Sequence, residues 1–343
     1  MFKSRKSVVG LDIGSSVVKA IEISLEGHEP VITGFGRAEL PPGGSVEEAI
    51  RQIFKEQKFR TKKVVTGVSG QETVVRYVPM PRMSDTELKQ AIQFEADKIV
   101  ASDEEVVLDC QPLGTRGEGE NSTMNVLVAA CQLDHLQTQA KMIQRLGLTP
   151  IAIDLDLFAV ANAWELCGLP EEDMPEGGGE RAVALVDVGA RGTSINVMRG
   201  GMSCFSREIP IGGASMTQAV SRRLGVEGFE AEAIKRSSEA HAAEVHTAIT
   251  PVLEDLASEL MLSMDYVEHN EQIQVHEVLL SGGGMLAPGA VQYIEQAVQR
   301  PARAWHPLES LRVDVNRLDV QELEAWAQTL VVAVGLAARV RQQ

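Results

Sequence analysis

Val9-Gly-Leu-Asp-Ile-Gly-Ser-Ser-Val-Val-Lys19 and Ala184-Leu-Val-Asp-Val-Gly-Ala-Arg-Gly-Thr193 are written to one plan. Each is an apolar run, an aspartate, one apolar residue and a glycine, followed by a tight turn into a second run. The two aspartates, Asp12 and Asp187, lie 187 − 12 = 175 residues apart, about half of the 343-residue chain. That spacing predicts two related halves, each opening on a β-hairpin. A solenoid would repeat its unit more often and at a fixed period. Facing each other, two such halves would set two hairpin turns and two carboxylates on opposite walls of one cleft.

The physics of such a cleft favours a nucleotide. Glycine in a hairpin turn lets backbone N–H groups approach phosphate oxygens, and a nest of N–H groups is a good anion site. Carboxylates repel phosphate, so Asp12 and Asp187 make sense with Mg²⁺ between them, held through water because Mg²⁺ dehydrates reluctantly. Lys19 adds a point charge for a phosphate. Taken singly, Asp-x-Gly after a strand is a common structural turn. Its recurrence at equivalent places, each time followed by small hydroxyl residues, turns the reading towards function. A third element, Val278-Leu-Leu-Ser-Gly-Gly-Gly-Met-Leu-Ala-Pro-Gly289, runs a strand into three glycines, leaving flat backbone against which adenine or ribose could lie. It reads equally as a tight strand-to-helix connection. It is neither a Walker A loop, since no Gly-Lys-Ser/Thr follows, nor a dinucleotide fingerprint, since its glycines are contiguous.

Working outward, the first half continues with a strand at 31–38, a break at Pro41-Pro42-Gly43-Gly44, and helical spacing at Val46, Ile50, Ile53 and Phe54. Strands are expected at 63–68, 73–78, 106–113 and 125–131, the last two joined by the polar, glycine-rich stretch 114–122. Ser84-Asp-Thr-Glu87 is a capping box opening a helix with Leu88, Ala91, Ile92 and Ile99 on one face. A helix over 134–146, a strand over 148–155 and a helix over 157–166 follow, and then the acidic, glycine-rich stretch 171–179, a candidate linker. In the second half, strands at 182–188, 194–198 and 202–209 precede helices at 214–224 and 230–235. Thr250-Pro251 is expected to open a longer helix, with Thr250 as N-cap, and a strand at 276–280 leads into the glycines.

Lys plus Arg number 32 and Asp plus Glu 48, a formal charge of 32 − 48 = −16. That balance argues against a nucleic-acid binder and against docking onto anionic lipid, both of which need clustered basic residues. The longest apolar run, nine residues from Leu330 to Ala338, is far short of the roughly 20 that span a bilayer. The basic start is not followed by a signal-peptide apolar core, because Asp12 and Glu22 interrupt it. Cys110, Cys131, Cys167 and Cys204 are scattered, without Cys-x-x-Cys spacing, and read as reduced thiols.

The two Asp-x-Gly hairpins and the late Gly-Gly-Gly resemble the phosphate 1, phosphate 2 and adenosine motifs of the actin/Hsp70/FtsA superfamily. Within it the chain is similar to the PilM family, the cytoplasmic actin-like component of type IV pilus assembly. Val78-Pro-Met-Pro and the helix after it, Leu108-Asp-Cys, Gly147-Leu-Thr-Pro-Ile-Ala-Ile-Asp154 and Ile209-Pro-Ile-Gly-Gly213 belong to the same likeness, which covers most of residues 7–338. The resemblance implies an α/β, two-lobed actin-like ATPase fold, a duplicated ribonuclease H-like unit. Residues 1–39 and 149–178 would form the first lobe (subdomain 1A), 40–148 an inserted FtsA-type subdomain (1C), and 179–343 the second lobe (2A, with 2B at about 225–272).

It also implies a site. Asp12 and Asp187 would hold Mg²⁺ through water, while Gly14, Ser15, Ser16, Gly189 and Thr193 line the phosphates with Lys19. Glu232 and Lys235 match a Glu-x-x-Lys helix that touches the nucleoside, although their spacing alone reads as a solvated helix pair. Gly282, Gly283 and Gly284 match the adenosine loop. Arg191 stands where relatives often have glycine. Asp156 is the best match to the residue that orients the attacking water, with a shorter side chain; from its place between strand and helix it also reads as a helix-start residue. ATP binding is thus expected, with hydrolysis slow if present. The implied partner is a short cytoplasmic N-terminal peptide of the inner-membrane protein PilN. The chain would then be cytoplasmic and recruited to the inner face of the inner membrane without inserting into it; self-association is left open. The alternatives are an FtsA-like filament or divisome protein and a small-molecule kinase of the same superfamily.

Overall fold

Strand β1 (Ser7–Ile13), apolar on both faces and buried along its middle, lies in a six-stranded sheet. The computed structural model describes residues 6–70, 72–99, 105–116, 123–167, 182–236 and 241–342. The candidate linker 171–179 and most of the connector 114–122 lie outside them. Strands β2 (Val17–Glu26) and β3 (Glu29–Glu39) follow β1 as an antiparallel meander, and β4 (Lys63–Val68) returns parallel to β1 on its other side. Strand β8 (Thr149–Leu155) extends the sheet beyond β4, and the short β14 (Arg312–Val313) pairs with β3.

The second half repeats this design. Strands β9 (Ala182–Val188), β10 (Thr193–Arg199) and β11 (Met202–Ile209) form an antiparallel meander, with β12 (Val275–Ser281) parallel to β9 and β13 (Ala302–Ala304) beyond it. The orders β3-β2-β1-β4-β8 and β11-β10-β9-β12-β13 superimpose strand for strand. The duplication read from two short stretches thus extends over both sheets, and the molecule has the two-lobed actin-like fold.

A separate sheet, ordered β5-β7-β6, is made by β5 (Thr73–Pro81), β6 (Val106–Arg116) and β7 (Thr123–Gln132), with helix α2 (Asp85–Ile99) packed on it through Leu88 and Ile92. The capping box at the start of α2 is made: Glu87 Oε2 accepts from the Ser84 N–H at 2.8 Å. This sheet draws on 73–132, narrower than the 40–148 expected for the insert. Helix α1 (Val46–Glu56) packs on β3 and β4 pairs with β1 and β8, so both serve the six-stranded sheet; helix α3 (Leu133–Arg145) packs against β8. The wider boundary comes from the family resemblance, and parallel pairing between distant strands leaves no local pattern that would narrow it.

Helix α4 (Asp156–Cys167) is buried between the two large sheets. Helices α5 (Gly213–Leu224), α6 (Gly228–Arg236) and α7 (Ala242–Glu271) cover the second sheet, with α8 (Ala290–Ala297) beside α7. Helix α7 corrects one expectation, since it runs unbroken through Pro251, and Thr250 is interior, its hydroxyl donating to the His246 carbonyl at 2.7 Å. An interior proline costs about 3 kcal/mol, but Val245, Ala248 and Ile249 before it and Leu253 and Leu256 after it share one buried face, which carries the helix across the defect. Helices α9 (Val320–Trp326) and α10 (Val331–Ala337) complete the chain. All of α10 is buried, against β1 and α4, so the expected second-lobe span 179–343 loses its last helix to the first sheet. The approach is close enough that a Cβ on Gly335 would sit 1.7 Å from the Ala159 carbonyl oxygen. No single helix among the described residues is long and apolar enough to cross a membrane.

Candidate functional site

The first hairpin sets Asp12 directly opposite Lys19 across the β1–β2 pair, a register that follows from the Gly14-Ser15-Ser16 turn. The ammonium Nζ lies 2.6 Å from Asp12 Oδ2 and donates to the Thr329 carbonyl at 3.1 Å, a residue just before α10. Burial disfavours the charged ammonium, yet Asp12, with Asp187 and Asp156 behind it, holds its pKa above the ordinary lysine value. Three carboxylates from two lobes therefore act on one cation. The structure pairs Lys19 with Asp12 and sets Asp156 and Asp187 near enough for their charges to act on the same ammonium.

On the facing wall, Asp187 closes β9 and lies opposite Ser194 on β10 and Ser281 on β12. The Ser281 hydroxyl donates to Asp187 Oδ1 at 2.8 Å. Burial pushes the Asp187 carboxyl above the usual aspartate range, against the pull of Ser281 and Lys19. The turn after it is drawn tight by Gly189 N–H to the Gly192 carbonyl at 2.9 Å, and Gly213 N–H donates to the Gly189 carbonyl at 2.9 Å. Thr193 is buried and gives its hydroxyl proton to the Ile211 carbonyl at 2.7 Å, so it braces the floor beneath the second turn instead of offering that proton to the cleft.

Asp156 is the first residue of α4, and it also faces the cleft. Its Oδ2 accepts from the Ser69 hydroxyl at 2.8 Å, while Oδ1 is buried with no partner. The oxygen fits over Gly67, where an added Cβ would lie 1.7 Å from it. Burial first, and then the charge of Asp12, push the Asp156 carboxyl up to about 7. The next residue of the same turn, Gly70, donates its N–H to Glu208 Oε2 on β11 at 3.3 Å. Ser69, Gly70 and Glu208 were not legible in the sequence. Ser69 and Gly70 follow an ordinary strand, and Glu208 lies far off in the chain, so only the pairing of lobes reveals them.

The glycines of the third element close against the second hairpin. A Cβ on Gly284 would lie 2.4 Å from Val188 Cγ1, and Gly282 has φ +90° with its N–H on the Gln328 carbonyl at 2.8 Å. Gly283 has open space in front of it. Gly213, 3.7 Å from the Gly284 Cα by the same measure, joins this loop to the second turn. Lys235 is not the solvated member of a helix pair that its spacing suggests. It is 6% exposed, and its ammonium meets the Gly213 carbonyl at 3.0 Å, Thr217 Oγ1 at 2.7 Å and Glu232 Oε2 at 2.7 Å. Burial lowers its pKa, against Glu232; Glu232 itself, desolvated but held by Lys235 and Thr217, is lowered. Arg236 takes the other Glu232 oxygen at 2.8 Å and reaches Glu39 of β3 at 3.3 Å. Gly189, Gly213, Gly284 and Lys235 thus meet at one side of the second turn. Ser15 and Ser16 are half-buried in the first turn. Among the described residues no cluster of His, Cys, Asp and Glu forms a metal site from protein ligands alone.

Comparison with known proteins bears on this site. The family model "Type IV pilus assembly protein PilM" matches residues 10–341. A solved structure of a PilM–PilN type IV pilus biogenesis complex is 26% identical and superimposes with a TM-score of 0.84 over 98% of this chain and 99% of that one. The ethanolamine utilization protein EutJ of Carboxydothermus hydrogenoformans, 14% identical, shares the fold with a TM-score of 0.56 over 98% and 90% of the two chains. Cell division protein FtsA of Pseudomonas aeruginosa is 25% identical over 270 residues, 68% of this chain and 61% of that protein. FtsA of Bacillus subtilis is 25% identical over 264 residues, 66% and 57%. The chain therefore spans about three-fifths of the length of the FtsA relatives it matches.

Proposed function

The chain belongs to the PilM family of type IV pilus assembly proteins, and on that premise we propose that it binds Mg-ATP in the cleft between its two large sheets. The observation that supports this reading is the Lys19–Asp12 pair at 2.6 Å, with Asp156 and Asp187 near enough for their charges to act on the same ammonium. Three carboxylates and one cation leave an excess of negative charge in a part-buried place, and a triphosphate alone would add to it. A divalent ion fits that deficit, and the oxygen donors present suit Mg²⁺. Asp12 and Asp187, one from each wall, would hold it through water, and bound Mg²⁺ supplies charge compensation for the phosphates. Lys19 meets a phosphate oxygen once it gives up part of its contact with Asp12. Gly14, Ser15 and Ser16 on one side and Gly189 on the other offer backbone N–H groups. Gly282, Gly283 and Gly284 bound the nucleoside end, with the Glu232–Lys235 pair beside them. Asp156 is the residue placed to orient water. Burial sets its carboxyl at about 7, a value that suits a base at neutral pH, but its short side chain gives it a poor reach to that water, so turnover by it is slow if present.

The partner in this reading is the N-terminal cytoplasmic peptide of an inner-membrane PilN-like protein, which holds the chain at the cytoplasmic face of that membrane. Leu330–Ala338, the most apolar stretch, is committed to the interior and is not free to act as a membrane tether. Calorimetric titration of nucleotide-stripped protein with ATP, with and without Mg²⁺, tests the cleft. Magnesium-dependent binding that Asp187→Ala weakens by roughly ten-fold or more, about 1.4 kcal/mol, is the expected result. Binding indifferent to both Mg²⁺ and the substitution would sink the reading. Fluorescence titration with a peptide copying the start of the cognate PilN-like protein tests the partner, for which saturable binding is expected.

A further inference from the structure

The three-stranded sheet touches the second lobe along a seam between β5 and β11, and that seam is polar. The Tyr77 hydroxyl, on β5, lies 2.9 Å from both Ser203 Oγ and Ser206 Oγ, and the two serine oxygens are 3.1 Å apart. Ser206 Oγ is 2.7 Å from Asn196 Oδ1 on β10, and Asn196 Nδ2 is 2.9 Å from the Leu157 carbonyl. Leu157 is the residue after Asp156.

From Tyr77 to Leu157 the protons of this chain run in one direction. A carbonyl oxygen only accepts, so the Asn196 amide must turn its NH₂ to Leu157 and its oxygen to Ser206. Ser206 then donates its single proton to Asn196 and accepts that of Tyr77, and the Ser203 proton closes the triangle of hydroxyls. Asn196 is fully buried, so water cannot stand in for the partners of its amide, while the three hydroxyls that lead to it are part-buried. A buried polar network of this kind fixes the relative position of the elements that share it, and removing one member leaves its neighbour unpaired. Packing alone would be served by phenylalanine at 77; the hydroxyl is needed only for the network.

A second tie runs in parallel. The Ser69–Gly70 turn leads within three residues into β5, and it holds Asp156 through Ser69 and Glu208 through Gly70. Glu208 and Ser206 stand two apart on β11, so the seam and this turn close on the same stretch of strand.

We propose that Tyr77 is a positioning residue for the cleft: through Ser206 and Asn196 its hydroxyl sets the first turn of α4, and so the placement of Asp156. The three-stranded sheet is thereby coupled to the nucleotide site. A shift of that sheet relative to β11 moves Asp156 without any change in the hairpins that hold phosphate. The coupling to nucleotide rests on the Mg-ATP reading given above; the coupling to α4 does not.

The test uses the full chain with Tyr77→Phe, Ser206→Ala and the double variant, and as a control Tyr266→Phe on α7, which loses a hydroxyl outside the network while its ring can keep its packing on Phe205 of β11. Hydrogen exchange followed by mass spectrometry reads the amides of about 153–160 and of 69–70, and calorimetry reads Mg-ATP affinity. Each single variant is expected to speed exchange at the start of α4 and to weaken Mg-ATP binding about three- to ten-fold, the loss of one net hydrogen bond. The double variant should be no worse than the more affected single one, because both break the same chain. Unchanged exchange at α4 in Tyr77→Phe and Ser206→Ala, or equal effects from Tyr266→Phe, would overturn the proposal. Wild-type protein that fails to bind Mg-ATP would defeat the nucleotide reading, and the exchange measurement would still decide the link to α4.

Discussion

The two hairpins share a backbone and differ in charge. In the first, the residue facing the aspartate across the strands is Lys19; in the second, the same register position is Ser194. Asp12 therefore carries its counter-ion at 2.6 Å, while Asp187 is met by the Ser281 hydroxyl, at 2.8 Å, from a strand outside the hairpin, and feels Lys19 from farther off. The two cradles share a register, and at the matching position the first wall carries an ammonium where the second carries a hydroxyl. The lesson is that a repeated motif transmits geometry faithfully and chemistry only in part, because register survives a change of side chain that removes a local charge.

Removing the asymmetry should have the largest effect. Lys19→Met leaves Asp12 beside Asp156 and Asp187 with no cation, and uncompensated buried charge of this kind costs about 3–5 kcal/mol. Urea unfolding at pH 8 should show that loss, and millimolar Mg²⁺ should restore part of it by binding the folded state. An unfolding midpoint unaffected by the substitution would mean that the two walls are electrostatically equivalent after all.

Next in size is the pH dependence of the crowded wall. Asp156 has a folded pKa of about 7, above its ordinary value of 3.8, so the folded state holds its proton more tightly than the unfolded chain does. The stability associated with that proton is full below about pH 4 and is lost as pH rises through 7. Asp156→Asn should thus stabilise the protein progressively from pH 4 to 7, with a constant gain above that. Thermal melts across this range at fixed ionic strength check it, and a gain that shrinks with rising pH would contradict the assignment.

The smallest effect belongs to the second hairpin. Ser281→Ala removes one hydrogen bond to Asp187, which opposes the upward push of burial, and should cost about 1–2 kcal/mol at pH 8. The cost should fade as the pH drops and Asp187 takes up its proton. A pH-independent loss would place the role of Ser281 in packing between β9 and β12.

Much of this was legible from local patterns. Asp12, Lys19, Asp187 and the three glycines announce themselves through an apolar run ending in a turn, and the capping box at Ser84 forms as spelled. What escaped was set by pairing across long separations. Ser69 and Glu208 meet the cleft only because β4 lies beside β1 and β11 beside β10. The burial of Lys235 depends on the Gly213 carbonyl arriving from another helix, so the Glu232/Lys235 spacing alone suggested a solvated pair. The unbroken α7 shows the same thing in reverse: Thr250-Pro251 is a good helix start locally, and a buried apolar face on both sides of it overrules the local signal.

Helix α10 has a consequence in time. The face of the first sheet carrying Val8, Ile21 and Ile23 is covered by Val331, Val334 and Leu336, more than 300 residues later in the chain. At about 5–20 residues per second, a ribosome takes roughly 15–60 s to deliver that cover after β1 has emerged. During that interval the first lobe waits half-finished, with an apolar surface open to chaperones or to its neighbours on the polysome. Its quality is judged only once nearly the whole chain has been read.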